Sequence, residues 1–237
     1  DKNVGKMIVD AIHEAFPNDT IIAEDVTGFT GTSGWWWWVD PFDGTANAEP
    51  RLRMSTVGIG VAFDGEMVAG VIVDPFEETV TSAATRRGAF VASIHQPRAE
   101  DNRVRVTSGR PFARRFIVTD ALWNPQTAPR KGSLKIALGQ AELIQNHREV
   151  GSNLLGWSWV AQGRVDAAFM DAVGGFWDAA AGIVIVQEAG GRITDLDGNV
   201  PQPGCQVVLA TSGEWHNELL TIVRECYTGY TGFRAQK

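Results

Sequence analysis

Among the 237 residues of the chain, Asp40-Pro41-Phe42-Asp43-Gly44-Thr45 hold the densest set of groups that can do chemistry. Two carboxylates lie three positions apart, just after the apolar run Trp35-Trp36-Trp37-Trp38-Val39. Like charges held close raise one another's pKa and cost stability, and a bound cation removes that problem. Carboxylate and carbonyl oxygens are hard ligands that suit Mg²⁺ rather than Zn²⁺. Gly44 allows an unusual φ or a close backbone approach. Gly44-Thr45-Ala46-Asn47 can open a helix whose free N–H groups face an anion such as phosphate. Cation ligands beside an anion cradle fit metal-assisted phosphoryl chemistry. A purely structural reading stands next to it, since Asp-Pro and Asp-Gly are common turn dipeptides and Asp43 can cap a helix. The tryptophans read as core, with a stacking platform for a sugar or base as the alternative.

Further acids fall at the ends of other expected elements. Asp178 follows Gly175-Phe176-Trp177 at the start of an alanine-rich helix, and Glu24-Asp25 ends a short apolar strand. Taken singly, the first is an N-cap and the second a polar strand end. Together they bring carboxylates to the ends of three elements.

The elements that must position these acids follow from periodicity. Val4, Met7, Ile8, Ala11, Ile12, Ala15 and Phe16 recur at helical spacing, so residues 2–16 are expected to form an amphipathic helix that stops at Pro17-Asn18. Residues 20–23 and 35–39 read as strands, the second ending at Asp40-Pro41, with a Gly/Thr/Ser-rich loop over 26–34. Residues 57–63 and 67–73 flank Asp64-Gly65, a hairpin signal. Strands are expected at 79–84 and 89–91, with a turn at Arg87-Gly88. A polar, Arg-rich stretch over 98–115 is the expected boundary between halves 1–100 and 101–237. Beyond it, short strands are expected at 104–106, 116–118, 165–170, 193–194 and 207–210. Helices are expected at 152–162, at 178–189 with Gly190-Gly191 closing it, and at 213–226. Asp195-Leu196-Asp197-Gly198-Asn199 reads as a turn, because the rest of a Ca²⁺ loop is missing and Gln206 stands where its last acid belongs. Arg103, Arg105, Arg110, Arg114 and Arg115 read as a solvated face, with a contact for a second substrate phosphate as the rival.

Composition narrows the partners. A net charge of −7 argues against broad binding to nucleic acid or an anionic membrane. No apolar run reaches the ~18 residues of a membrane span. Only two cysteines are present, so no disulfide framework is indicated and a cytoplasmic setting is expected. The four histidines are scattered with no ligand spacing.

The sequence resembles the inositol monophosphatase family of Mg²⁺-dependent, lithium-sensitive phosphatases. "WVDPFDGTAN" is similar to its first signature, "WDAAAGIVIVQEAGG" to its second, and "IIAED" to its G-E-E segment. The helix "DKNVGKMIVDAIHEAFPND" matches in pattern, so the resemblance spans nearly the whole chain. It implies an α+β fold, a layered αβαβα sandwich of the inositol monophosphatase and fructose-1,6-bisphosphatase type. One half would be antiparallel and the other mixed, with the site between them. It also implies that Glu24, Asp40 and the Phe42 carbonyl hold a first metal, and that Asp40, Asp43 and Asp178 hold a second. Glu24 would reach a third through water, aided by Asp1. Thr45 and Asp1 would orient and deprotonate the attacking water, and the Gly44 and Thr45 N–H groups would bind phosphate. Two or three Mg²⁺ per site are implied, with Mn²⁺ as a substitute and inhibition by Li⁺ and Ca²⁺. A homodimer acting on a small phosphate ester is expected, as is a family segment ahead of Asp1.

The departures lie mainly on the leaving-group side. Ala23, Asp25 and Ala46 replace the family's Gly, Glu and Thr without removing a direct ligand. Residues 48–54 lack the usual aromatic residues. The substrate-side acid is Asp171 rather than Glu, and in Gly151-Ser152-Asn153 the asparagine replaces Ala. Ser152, Asn153 and Asp171 are therefore the expected substrate contacts. The leading expectation is an inositol-1-phosphatase-like enzyme. Fructose-1,6-bisphosphatase, 3′-phosphoadenosine 5′-phosphate phosphatase and histidinol-phosphate phosphatase are alternatives within the same chemistry. A family member used as a binding or regulatory partner is the alternative class.

Overall fold

The apolar stripe at the start of the chain forms α1 (Lys2–Ala15), which buries Val9 and Ile12 against Ile21 and Val39 of the sheet beneath. The computed structural model describes residues 2–96, 102–120, 128–171 and 174–228. That sheet has seven strands in chain order: β1 (Thr20–Ala23), β2 (Trp35–Asp43), β3 (Thr56–Phe63), β4 (Glu66–Asp74), β5 (Thr79–Ala84), β6 (Gly88–Ser93) and β7 (Arg103–Val104). It is antiparallel except for β1, which runs parallel to β2. The expected Asp64-Gly65 hairpin joins β3 to β4, with φ of 48° and 86° at the two residues, as a type I′ turn requires.

A second sheet, in the order β11-β12-β10-β8-β9, comprises β8 (Phe116–Thr119), β9 (Asn146–Glu149), β10 (Ala167–Met170), β11 (Arg192–Thr194) and β12 (Val208–Thr211). It is mixed: β8 is parallel to both neighbours, and β12 antiparallel to both of its own. Helices α4 (Asn153–Ala161) and α5 (Trp177–Glu188) lie between the sheets, in a core with Trp38, Ile72, Val118, Met170 and Val208. Helices α3 (Ala128–Gln140) and α6 (His216–Tyr227) cover the far face over Ile117, Phe169 and Leu209. The succession α1, sheet, α4 and α5, sheet, α3 and α6 is the expected αβαβα sandwich.

The central layer is unusually tight. A Cβ on Gly60 would lie 2.5 Å from the Ala180 Cβ, and one on Gly70 would lie 2.3 Å from the Ala181 carbonyl oxygen. Alanines on α5 and glycines on β3 and β4 thus let the helix rest almost on the sheet backbone. At its N-terminal end the Trp157 indole donates to the Asp178 carbonyl at 2.8 Å. At its C-terminal end the Glu188 carboxylate accepts the Arg86 and Gly88 N–H groups, each at 2.7 Å. The glutamate of "EAGG" therefore ties the helix end to the β5–β6 turn.

Several expectations need correction. β2 does not end at Asp40-Pro41 but continues to Asp43 through a bulge. α3 and β9 were not anticipated: "APRKGSLKIALGQ" carries a proline and two glycines, and "NHRE" no apolar residue. The strand expected at 104–106 shrinks to Arg103–Val104. Asp195 forms the expected turn, its carboxylate accepting the Asp197 and Asn199 N–H groups at 2.9 Å. Cys205 and Cys226 are free thiols. Among the described residues no helix is long and apolar enough to cross a membrane.

Because the Gly70 site is closed by backbone, Gly70→Ala is expected to destabilise the protein by about 2 kcal/mol. Gly132→Ala on α3, where an added Cβ meets nothing within 4 Å, should instead gain up to about 1 kcal/mol from helix propensity. Urea midpoints of the two variants check this. Equal effects would show that α5 is not seated as closely as described.

Candidate metal centre

In a regular strand, residues three apart point to opposite faces, so Asp40 and Asp43 should diverge. The bulge prevents this. Asp40 pairs with Gly58 and Asp43 with Thr56, so Pro41 and Phe42 together face the single residue Val57. One extra residue resets the alternation and turns both carboxylates to the same side. Pro41 has no N–H to lose from the interrupted ladder. Asp178 arrives from the first turn of α5. One carboxylate oxygen from each of Asp40, Asp43 and Asp178 lies within 4.8 Å of the others.

All three are buried. Asp43 is the most tightly held. Its Oδ2 accepts the Ser152 hydroxyl at 2.5 Å, the Leu154 N–H at 2.8 Å and the Thr56 hydroxyl at 3.1 Å, while Oδ1 accepts the Asn153 N–H at 3.1 Å. The first turn of α4 thus grips it. Asp178 Oδ2 accepts the Gly174 N–H at 2.5 Å. Asp40 Oδ1 accepts the Phe42 N–H at 3.0 Å, but among the described residues Oδ2 has no hydrogen-bond partner although Asp40 is 0% exposed. A buried carboxylate oxygen left bare is costly, and a cation would satisfy it. Burial, then the neighbouring acids Asp43, Asp178 and Glu24, pushes the Asp40 pKa up to about 10. Burial and Asp43 push Asp178 to about 7. Burial also raises Asp43, and burial with Asp25 and Asp43 raises the half-buried Glu24. An all-oxygen donor set with a bare buried oxygen and suppressed ionisation fits a hard divalent cation.

The cavity over these acids has a volume of about 230 Å³. Glu24, Asp40, Asp43 and Asp178 line it together with Phe42, Gly44, Thr45 and Ala46. Gly44 has φ of 83°, and an added Cβ would meet the Met54 carbonyl oxygen at 2.7 Å. Asn47 fixes this turn by donating from Nδ2 to the Met54 carbonyl at 2.6 Å and to the Val150 carbonyl at 2.9 Å. The exposed Thr45 hydroxyl donates to the Phe42 carbonyl at 3.1 Å. The helix expected after Gly44 is a single turn, α2 (Thr45–Ala48), so its dipole is small and individual N–H groups must do the work.

The family model described as the inositol monophosphatase family matches residues 1–228. The chain belongs to this family. It is 31% identical to the Nus factor SuhB of Pasteurella multocida over 95% of this chain and 81% of that protein. It is 30% identical to inositol monophosphatase 2 of Homo sapiens over 90% of this chain and 73% of that one. Among solved structures, the extragenic suppressor protein suhB from Bartonella henselae superposes with a TM-score of 0.81 at 28% identity, covering 96% and 83% of the two chains. The inositol monophosphatase from Anabaena gives 0.79 at 27%, covering 93% and 84%.

Within this member of the family the expected residues separate into two groups. Glu24, Asp40, Phe42, Asp43, Gly44, Thr45, Asn153 and Asp178 all border one cavity. Ser152 lies behind it as the N-cap of α4 and a donor to Asp43. Asp171 is not on the wall: it is 0% exposed, its Oδ1 lies 3.0 Å from Lys131 Nζ, and its Oδ2 accepts the Tyr227 hydroxyl. Asp1 falls outside the described residues. Asp120, which sequence reasoning missed, lines the cavity with Gly151 and Gly174. Its only signal was an acid at the end of an expected strand. None of the five arginines is among the described lining residues. Arg110 pairs with the buried Asp166 at 3.0 Å, and Arg115 donates to the Arg110 and Leu143 carbonyls. A larger cavity of about 300 Å³ under α3 has mainly apolar walls, including Leu134, Leu138 and Phe169, and holds no acidic cluster.

The raised pKa values fix a pH dependence. In the metal-free protein these acids bind protons more tightly folded than unfolded. They favour the fold fully below about pH 4, and that contribution is lost as pH rises through about 7 for Asp178 and about 10 for Asp40. Divalent cations compete with those protons. The rise in melting temperature on adding Mg²⁺ should therefore be larger at pH 8 than at pH 5. A rise independent of pH would place the ion elsewhere.

Proposed function

We propose that the protein is a Mg²⁺-dependent phosphate monoester hydrolase, inositol-1-phosphatase-like, acting on a small sugar or polyol phosphate. One observation carries this reading: three buried carboxylates, one with a bare oxygen, converge on a cavity whose rim is the left-handed turn at Gly44-Thr45. Family relatives named inositol monophosphatase, from Mesembryanthemum crystallinum, and inositol-1-monophosphatase, from Synechocystis, support the substrate class.

In this reading Glu24, Asp40, Asp43, Asp178 and the Phe42 carbonyl hold the metals. Bound Mg²⁺ supplies Lewis acidity toward the ester and the attacking water. The chain itself does the rest. The Gly44 and Thr45 N–H groups receive the phosphate oxygens, preorganised by the left-handed φ of Gly44 and the Asn47 clamp. The Thr45 hydroxyl, already aligned on the Phe42 carbonyl, orients the water on the phosphorus side. Asp43, fixed by four donors, keeps its place whether or not its charge is compensated. Hydrolysis then proceeds in line, with no covalent bond between phosphorus and the chain.

A binding or regulatory role is the second reading, favoured by relatives that carry the name Nus factor SuhB. The two separate cleanly. Asp40→Asn should lower phosphate release by at least about a hundredfold, measured with Mg²⁺ on inositol-1-phosphate, fructose-1,6-bisphosphate, 3′-phosphoadenosine 5′-phosphate and histidinol phosphate. Li⁺ should inhibit the wild type. Absence of lithium-sensitive turnover of every ester by folded, metal-loaded protein would shift the conclusion to the second reading.

A further inference from the structure

The cavity under α3 takes no part in the hydrolysis described above. Its volume is about 300 Å³. Ile117, Leu134, Leu138, Ile144 and Phe169 line it, and all five belong to the buried core on that face of the second sheet. Cavities walled by aliphatic and aromatic side chains stay dry and take up apolar guests. Two kinds of polar group interrupt this wall. Lys131 and Lys135 lie one turn apart on α3, and both already face acids: Lys131 meets Asp120 at 2.7 Å and Asp171 at 3.0 Å, and Lys135 meets Glu149 at 2.6 Å. Thr119 of β8 and His147 of β9 line the cavity as a pair, the hydroxyl 2.8 Å from Nε2. Burial, then the Lys135 ammonium, pushes the His147 pKa down to about 4, so the imidazole is neutral at physiological pH.

From this wall we infer that the cavity under α3 is a binding site, separate from the metal centre, for a small uncharged ring compound carrying one N–H or O–H group. Size sets the first limit. An apolar cavity of about 150 Å³ takes benzene, so this one has room for two fused rings. Charge sets the second. An ionised ligand would exchange its hydration for an apolar wall whose two ammonium groups already face acids, and burying such a charge costs more than it returns. The hydrogen bond sets the third. A hydroxyl has one donor and two acceptor positions, so Thr119 keeps an acceptor position after pairing with His147. Thr119 and Asp120 are consecutive yet line different cavities, so the end of β8 divides this site from the acids. The inference goes beyond the phosphatase reading and does not rest on it.

Calorimetry at neutral pH on the full, Mg²⁺-loaded chain tests this with three probes of equal heavy-atom count: indole, indene, which lacks the N–H, and benzoate, which is charged. Indole should bind one-to-one and about fivefold more tightly than indene, the size of one neutral hydrogen bond. Benzoate should not saturate the site. Thr119→Val, which keeps the shape, should abolish the preference for indole and leave the indene affinity unchanged. Leu138→Trp, which fills the cavity, should lower both affinities by about tenfold or more. Inorganic phosphate, directed to the metal centre, should leave indole binding as it was. The inference is overturned if indole does not bind saturably, if benzoate binds as tightly, or if phosphate displaces indole. It is equally overturned if Thr119→Val keeps the indole preference or a folded Leu138→Trp binds like wild type. Should Leu138→Trp fail to fold, Thr119→Val with a native melting curve decides alone. Failure to hydrolyse any ester would count against the phosphatase reading only, since no binding arm contains an ester.

Discussion

The repulsion among Asp40, Asp43 and Asp178 is the constraint around which the fold is arranged. Three carboxylates buried with oxygens within 4.8 Å of one another would separate or take up protons if their backbones were free to move. They are not free. Asp40 and Asp43 share one bulged strand, the second of the seven-stranded sheet, and Asp178 sits on a helix pressed against that same sheet. The stability of the layers holds the acids where electrostatics alone would not. The exposed turn beside them can then remain small and open.

The price in sequence is visible in the central layer. α5 reaches its depth only because alanine meets glycine at Gly60 and Gly70, and because Trp157 closes the space over Gly182. Close backbone approach replaces bulky side-chain packing there, so the position of Asp178 is set by the sheet backbone rather than by deformable side chains. Interiors packed in this way transmit strain and resist displacement. The tryptophans of β2 serve the same end by different means. Trp38 packs edge-on against Phe176, one residue before α5, and Trp37 donates to Asp19 at 2.8 Å on the opposite face. The strand that carries the acids is therefore pinned on both sides.

Much of this was legible in the chain. Asp40, Asp43 and Asp178 were recognisable from turn chemistry and from the pairing of two signatures, and the strands around Asp64-Gly65 from their alternation. The bulge was not, because spacing of three reads as divergence in a strand and only the pairing register shows otherwise. α3 was hidden by Pro129, Gly132 and Gly139, which weaken helix propensity locally; tertiary packing of Leu134 and Leu138 on the second sheet overrides them. Asp171 was placed on the substrate side by the family resemblance, yet position along the chain does not reveal that Tyr227 and Lys131 each engage one oxygen of its carboxylate. Such contacts join segments far apart in sequence and leave no local pattern.

The two ends of the cavity thus differ in how they are encoded. The metal side rests on short motifs whose backbone geometry does the positioning: a bulge, a left-handed glycine and two helix starts. Changes there disturb several acids at once, because Asp43 alone draws donors from α4 and β3. The wall that carries Asp120 rests instead on single side chains braced by one another: Asp120 and Asp171 by Lys131 of α3, and Asp171 also by Tyr227 of α6. Membership of the family is therefore clear from this sequence, because the signatures lie on the acid side of the cavity, whereas Asp120 and Lys131 stand outside every signature.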